Sequence, residues 1–217
     1  MTNTTNPAGT PATPLQADPR NGLSKAVDLA GTVLAALRPE DYDTTTPCSD
    51  YSVRQLSNHL VSVLRRVAVI GAGGQFFSVP HFAEDVADGE WAKAWTAGAE
   101  ELKSVWSEPA VLGREIGLPW GPVPGAVAAV IDTNEFVLHT WDLAKATGQS
   151  PEWDDAVLAG PLAAMHRAVP REPRGGQVPF GPVVDVPQEA PAIDTSPFCP
   201  VTVTPSSSKS RSVARQF

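Results

Sequence analysis

The chain has 217 residues and a formal net charge of −8, a size that suits one domain with a substantial core. An acidic chain repels phosphate backbones, so we expect no nucleic-acid partner. No run of about 18 apolar residues occurs, so we expect no membrane-spanning helix and no membrane partner. The two cysteines, Cys48 and Cys199, lie far apart in sequence. They predict no disulfide framework, and a reducing cytoplasm is the expected compartment.

Composition divides the chain into three parts. Residues 1–21 are rich in Pro, Thr and Asn, which predicts a disordered tail, and they lack the basic start and apolar run of a secretory signal. Residues 22–194 carry the helical patterns and form the predicted domain. Residues 195–217 are rich in serine and contain basic but no acidic residues. We expect a flexible tail there, and one hypothesis is that this tail is not native to the fold.

Five segments have the apolar spacing of amphipathic helices. Their predicted bounds are about Leu23–Leu37, Val53–Ile70, Gly89–Ser107, Gly125–Thr147 and Asp154–Ala168. Asp50 or Ser52 is expected to cap the second helix, and Gly148 to end the fourth. Residues 111–124 contain too many Gly and Pro residues for a helix, which predicts a loop with a short extended piece at 114–118.

The four longer helices and the long connection before the fourth predict an all-α fold. We expect an antiparallel four-helix bundle with a long crossover loop. The Pro and Gly residues that follow Pro170 predict an irregular C-terminal segment.

Glu135 and His139 are the first candidates for a functional site. They stand four residues apart on the predicted fourth helix, so both side chains can reach one point. His59, on the second helix, is a candidate third ligand for a metal ion with one open coordination position. A helical wheel places an apolar stripe through Val127, Leu138 and neighbouring residues, with Glu135 and His139 on its flank. Spacing alone also fits a solvated Glu–His pair with His59 as an ordinary boundary residue.

The remaining candidates carry weaker signals. Asp142 follows His139 by one turn and could orient that ligand by accepting a hydrogen bond, or it could be a charge on a helix flank. Cys48 could be a nucleophile or ligand, although a buried small side chain is the simpler interpretation. His81 and His166 have no partner pattern and are interpreted as surface or boundary residues. No catalytic residue is assigned.

Several motifs carry a resemblance to a known family. They are TPCSDYSVRQLSNHL at 46–60, LPWG at 118–121, EFVLHTWDLAKATGQ at 135–149, FGP at 180–182 and VP at 186–187. The first resembles the second-helix signature of the DinB-like superfamily. Together, over roughly residues 22–194, the motifs resemble the metal-binding domain of mycothiol-dependent maleylpyruvate isomerase. Tyr51 is a departure, because this family often has Trp at that position.

The resemblance implies a DinB-like bundle that holds a divalent ion through His59, Glu135 and His139. Zinc suits these ligands first, and nickel or iron next. It further implies mycothiol as a cosubstrate and an activity as a thiol transferase or isomerase. A thiol bound to the ion would be thiolate at neutral pH and would attack a small electrophile.

Two other interpretations stay open. The domain could be a non-catalytic metal-binding or regulatory helical module, in which a fourth protein ligand would close the site. It could also be a helical interaction protein without metal, which requires Glu135 and His139 to point away from His59. The sequence leaves open a homodimer and the identity of the electrophile.

Overall fold

The computed structural model describes residues 18–48, 51–168, 172 and 192–195. This part of the chain is mostly helical and includes one small two-stranded sheet. The helices are α1 (Pro19–Ala35), α2 (Val53–Gly71), α3 (Trp91–Ser107), α4 (Gly125–Thr147) and α5 (Asp155–Ala168). The strands are β1 (Glu115–Leu118) and β2 (Gly121–Pro124). Short 3-10 helices occupy Pro39–Asp41, Phe76–Ser78, Pro109–Gly113 and Ala192–Thr195.

The first helix begins at Pro19, before the predicted start at Leu23. The Asp18 side chain accepts a hydrogen bond from the backbone N–H of Arg20 at 3.0 Å and so caps the first turn. Proline suits the first helical position because its missing N–H has no partner there. The helix therefore extends into residues that composition assigned to the N-terminal tail, while residues 1–17 lie outside the described part of the chain.

The second and fourth helices begin and end where their terminal residues predict. Ser52 caps α2: its Oγ accepts from the Gln55 N–H at 3.3 Å, and Gln55 Oε1 accepts from the Ser52 N–H at 2.9 Å. Asp50, the other candidate cap, lies outside the described residues. Gly148 ends α4 with a left-handed φ of 68°.

The four long helices share one apolar core. Helix α1 packs against α3 and α4, and α2 packs against the same two helices. The three tryptophans of α3, Trp91, Trp95 and Trp106, are 1–3% exposed and belong to this core. Their indole N–H groups donate to Asn58 Oδ1 at 2.8 Å for Trp91, to Val27 O at 3.0 Å for Trp95 and to Val67 O at 3.0 Å for Trp106.

Gly31 and Gly71 lie against Trp95 and Trp106, and a Cβ at either glycine would meet an indole ring.

The predicted loop at residues 111–124 contains an antiparallel hairpin. Strand β1 pairs with β2 from Glu115↔Pro124 to Leu118↔Gly121, so the extended piece predicted at 114–118 has a partner strand. The partner was not predicted, because prolines cannot donate to a strand ladder and normally argue against a strand. Pro122 and Pro124 are tolerated since β2 has a neighbour on one edge only in the described sheet. The expectation of an all-α fold is therefore corrected by this small sheet.

Two further expectations concern a membrane-spanning helix and the C-terminal part of the chain. Among the described residues, no helix is both long enough and apolar enough to cross a membrane. The predicted irregular segment after Pro170 and the tail from residue 196 onward lie almost wholly outside the described residues, as do the motifs at 180–182 and 186–187.

Candidate metal centre

Helix α4 buries its polar flank more completely than the stripe assigned to the core. Val127 is 45% exposed, and Leu138 is only half-buried, so the predicted apolar stripe is wrong. Glu135 and His139 are instead 9% and 7% exposed. The reason is that α4 is covered on several sides, by α1, α2, α5 and the hairpin. The helical wheel assumes one buried face, and α4 has more than one.

Helices α2 and α4 bring the three predicted ligands together. One ligand atom each from His59, Glu135 and His139 lies within 4.8 Å of the others. Glu135 Oε1 is 3.2 Å from His59 Nε2 and 3.4 Å from His139 Nε2. Because His59 is 1% exposed, all three side chains are buried, and the interpretation as a solvated Glu–His pair is wrong.

Each imidazole is oriented by an acceptor at its other nitrogen. His59 Nδ1 lies 3.1 Å from the carbonyl oxygen of His81, which can only accept, so Nδ1 carries the proton. His139 Nδ1 lies 3.2 Å from Asp142 Oδ2, which supports the role suggested for Asp142 as an orienting acceptor. In their neutral forms both rings therefore direct the Nε2 lone pair toward Glu135.

Three electron-pair donors thus converge on one point. Two Nε2 lone pairs and an ionised carboxylate repel one another unless a proton or a metal ion lies between them. Two ligand atoms bound tetrahedrally to one zinc ion at about 2.0–2.1 Å are about 3.4 Å apart. The two Glu135–imidazole separations of 3.2 and 3.4 Å match that spacing, and the two histidine ligand atoms lie within 4.8 Å of each other. The donor set therefore fits a divalent cation without large movement of the side chains.

In the absence of a metal ion, a proton takes that place. Burial alone lowers the pKa of His139, but the Glu135 charge and the Asp142 and Glu135 hydrogen bonds outweigh burial and raise it to about 10. Burial alone raises the pKa of Glu135, but His139 and His59 outweigh that effect and lower it to about 2. The metal-free site is therefore an imidazolium–carboxylate pair at neutral pH.

Comparison with known proteins assigns the chain to a family. The profile of the mycothiol maleylpyruvate isomerase N-terminal domain matches residues 23–144, more than half of the chain. The chain belongs to this family. The match includes the motifs at 46–60 and 118–121 and most of the motif at 135–149, so the resemblance found in the sequence is confirmed.

Two relatives come from Mycobacterium tuberculosis. They are "Uncharacterized protein MT0763" of strain CDC 1551 / Oshkosh and "Uncharacterized protein Rv0738" of strain ATCC 25618 / H37Rv. Each is 31% identical over 177 residues, which cover 82% of this chain and 93% of the relative. No solved structure matches the chain at a significant level.

This member of the mycothiol maleylpyruvate isomerase N-terminal domain family places His81 beside the site, which sequence reasoning missed. The His81 ring packs on that of His59 with centroids 4.4 Å apart, and His81 Nε2 is 2.8 Å from the Tyr51 hydroxyl. Burial, with the charge of His59, lowers the pKa of His81 to about 4. The side chain lies in the connection between α2 and α3, so no helical spacing links it to His59. His166 is exposed on α5, as predicted.

Arg66 and Asp132 are two further buried polar residues that the sequence analysis missed. They are 6% and 8% exposed, and both interact electrostatically with Glu135. Arg66 donates to the Pro80 carbonyl at 3.0 Å. Burial, with the Glu135 charge, raises the pKa of Asp132 to about 8, whereas burial lowers the pKa of Arg66. Arg66 is seven residues after His59, a helical spacing that places both on one face of α2.

Cys48 is buried, as the simpler interpretation predicted, and is 1% exposed. Its thiol nevertheless lies close to two polar residues of the site. Its sulfur, one His139 nitrogen and one Asp142 carboxylate oxygen lie within 4.8 Å of one another. The loop before α2 therefore brings a thiol to the side of His139 where Asp142 lies.

Proposed function

We propose that the protein is a divalent-metal-binding, DinB-like four-helix bundle that activates a small-molecule thiol for attack on an electrophile. The observation that supports the metal is the convergence of two imidazole lone pairs and one carboxylate at 3.2 and 3.4 Å. Two histidines and one carboxylate suit zinc first, and nickel or iron next. Three ligands from the chain leave one position for an exogenous group in a tetrahedral site.

The proposed reaction is a thiol transfer or an isomerisation. A bound divalent ion supplies positive charge, which lowers the pKa of a coordinated thiol below its usual value near 8.5. The family to which the chain belongs supports mycothiol as the thiol. The thiolate form is the nucleophile, so the site would raise the fraction of reactive thiol at neutral pH.

The chain's own residues have distinct roles in this proposal. His59, Glu135 and His139 hold the ion. The carbonyl of His81 and the carboxylate of Asp142 keep both imidazoles in the tautomer that presents Nε2 to the ion. Because all three ligands are at most 9% exposed, the site excludes most bulk water, and the charge of the ion is weakly screened.

The test combines metal analysis with a conjugation assay. Purified protein is dialysed without chelator, its zinc, nickel and iron contents are measured, and mycothiol conjugation to a bimane or a chlorodinitroarene is followed. We expect about one ion per chain, and loss of both ion and activity in His59→Ala and His139→Ala. His166→Ala is the matched control, because this histidine is exposed on α5. Activity that survives in both ligand variants would refute the mechanism.

A non-catalytic metal-binding module is the alternative, and the deep burial of the three ligands favours it. The two functions differ in the fourth coordination position. A water or thiol that exchanges there supports catalysis, whereas a fourth ligand from the chain supports a structural role. X-ray absorption spectroscopy of the zinc protein with and without mycothiol distinguishes them, because thiol binding adds a Zn–S distance of about 2.3 Å.

A further inference from the structure

A second group of potential ligands lies on the other side of His139. It consists of Cys48, Asp142 and His139, whose ligand atoms lie within 4.8 Å of one another. These residues are 1%, 3% and 7% exposed. The group shares only His139 with the site described above, and Asp142 Oδ2 already lies 3.2 Å from His139 Nδ1. Asp142 therefore faces Nδ1, the ring nitrogen that the proposed metal centre does not use.

Asp142 gives an independent indication that something binds there. Its Oδ2 accepts from His139, but its Oδ1 is buried and has no hydrogen-bond partner among the residues that the structure describes. A buried carboxylate oxygen without a partner lowers the stability of the fold, so native proteins normally supply a donor, a water or a cation. The unsatisfied oxygen belongs to the residue that Cys48 approaches.

Charge and ligand chemistry indicate which kind of cation suits this group. A thiolate and a carboxylate carry two negative charges, which a divalent ion neutralises in full. A neutral buried site avoids the desolvation cost of leaving net charge in a low-dielectric environment. A thiolate is a soft ligand and favours ions such as Cd²⁺ and Zn²⁺ over Mg²⁺ or Ca²⁺.

The distances allow coordination after a small adjustment. A sulfur at about 2.3 Å and a nitrogen at about 2.1 Å from one tetrahedral ion are about 3.6 Å apart. The His139–Asp142 pair at 3.2 Å is already near the required spacing. Since the ligand atoms lie within 4.8 Å of one another, Cys48 Sγ is at most about 1.2 Å beyond that spacing (4.8 minus 3.6 Å), a gap that a side-chain rotation can close.

We propose that Cys48, Asp142 and His139 form a second cation site that takes soft divalent ions and competes with the first site for His139. On binding, the Cys48 thiol releases its proton to solvent. His139, an imidazolium in the metal-free protein, releases its Nδ1 proton to solvent and keeps the Nε2 proton, which it donates to Glu135 Oε1 at 3.4 Å. A neutral imidazole has one lone pair, so His139 serves one site at a time unless it loses both protons. Soft cations at the second site would therefore empty the first.

The experiment is a Cd²⁺ titration of the full-length protein, followed by the ultraviolet charge-transfer band that thiolate–cadmium bonds produce. We expect the band to saturate at one Cd²⁺ per chain. It should persist in His59→Ala, which lacks a ligand of the first site only, and in Cys199→Ser, which lacks the other thiol. It should be absent in Cys48→Ser. Persistence of the band in Cys48→Ser, or its loss in Cys199→Ser, would overturn the proposal.

A second variant keeps the test valid if Cys48→Ser does not fold. Asp142→Asn retains the thiol and should weaken the cadmium affinity at least tenfold, measured from the same band, because a charged ligand becomes a neutral one. Unchanged affinity would contradict the site. If Cd²⁺ binds at one ion per chain without a thiolate band, the second site is refuted while the proposed metal-dependent function stands, so the two failures are distinguishable.

Discussion

The proposed metal ion and a proton would compete for the same place at His139, so removing the metal should change how stability depends on pH. In metal-free protein, burial opposes protonation of His139, but Glu135 and Asp142 together raise the pKa of this imidazole from 6.5 to about 10. A raised pKa contributes stability in full below 6.5, and that contribution is lost as pH rises toward 10. Over pH 7–9 the free energy of unfolding contributed by His139 falls by about 1.4 kcal/mol per pH unit, the slope of one proton. Below pH 8 the raised pKa of Asp132, about 8, adds to this slope.

This slope is measurable as a shift in the melting temperature. For a domain of this size, about 1.4 kcal/mol corresponds to roughly 3–6 °C. Thermal unfolding is followed by circular dichroism at pH 7, 8 and 9, after chelator treatment and again after zinc is restored. Metal-free protein should lose roughly 3–6 °C per pH unit. Zinc-loaded protein should show a flatter curve, because the ion replaces the proton, so the gap between the curves should widen with pH.

Two variants control this measurement. His139→Gln should remove the pH dependence of the metal-free protein between pH 8 and 9, because it removes the group that holds the proton; the contribution of Asp132, whose pKa is about 8, remains below pH 8. His166→Gln, on the exposed face of α5, should leave the slope unchanged. Parallel curves for metal-free and zinc-loaded protein, or a flat metal-free curve between pH 7 and 9, would refute the assignment of a shared proton and metal position.

Two further predictions follow from other contacts. Asp142→Asn should lower zinc affinity about 10–100-fold, measured by competition with a chromophoric chelator, because the carboxylate that orients His139 is lost; unchanged affinity would contradict this role. Gly125→Ala should cost about 2 kcal/mol or more in urea unfolding, because the added Cβ would overlap the backbone carbonyl of Val111. Gly160→Ala, which meets nothing within 4 Å on α5, should instead stabilise by up to about 1 kcal/mol, and equal effects would contradict the steric argument.

The sequence was sufficient for the helices because their signals are local. The capping box of Ser52 and Gln55 starts α2, and Gly148 stops α4, through hydrogen bonds and backbone angles within a few residues. The spacing of Glu135 and His139 likewise follows from helix geometry alone. Linking them to His59 required the family motifs, since sequence separation says nothing about which helices meet.

The residues that surround the site could not be predicted from local signals in the same way. His81 contacts His59 from an irregular connection, and Cys48 approaches Asp142 from a loop, so no periodic pattern relates these pairs. Only the first strand of the hairpin was predicted, because the second contains prolines. Residues 121–124 form a strand only through their pairing with β1. These contacts exist only once α2, α4 and the connections between them have packed together.

The burial of α4 shows most clearly where local information ends. Its residue order determined a helix from Gly125 to Thr147, with Glu135 and His139 on one flank. Which side of that helix would be buried depended on the neighbours that cover it, and they enclosed the charged flank while leaving Val127 45% exposed. Hydrogen bonding along a helix involves residues four apart, whereas burial is set by surfaces that are distant in sequence. Sequence therefore determined the helices and the spacing of the candidate ligands, and tertiary packing decided the burial and the lone-pair directions on which the proposed metal centre depends.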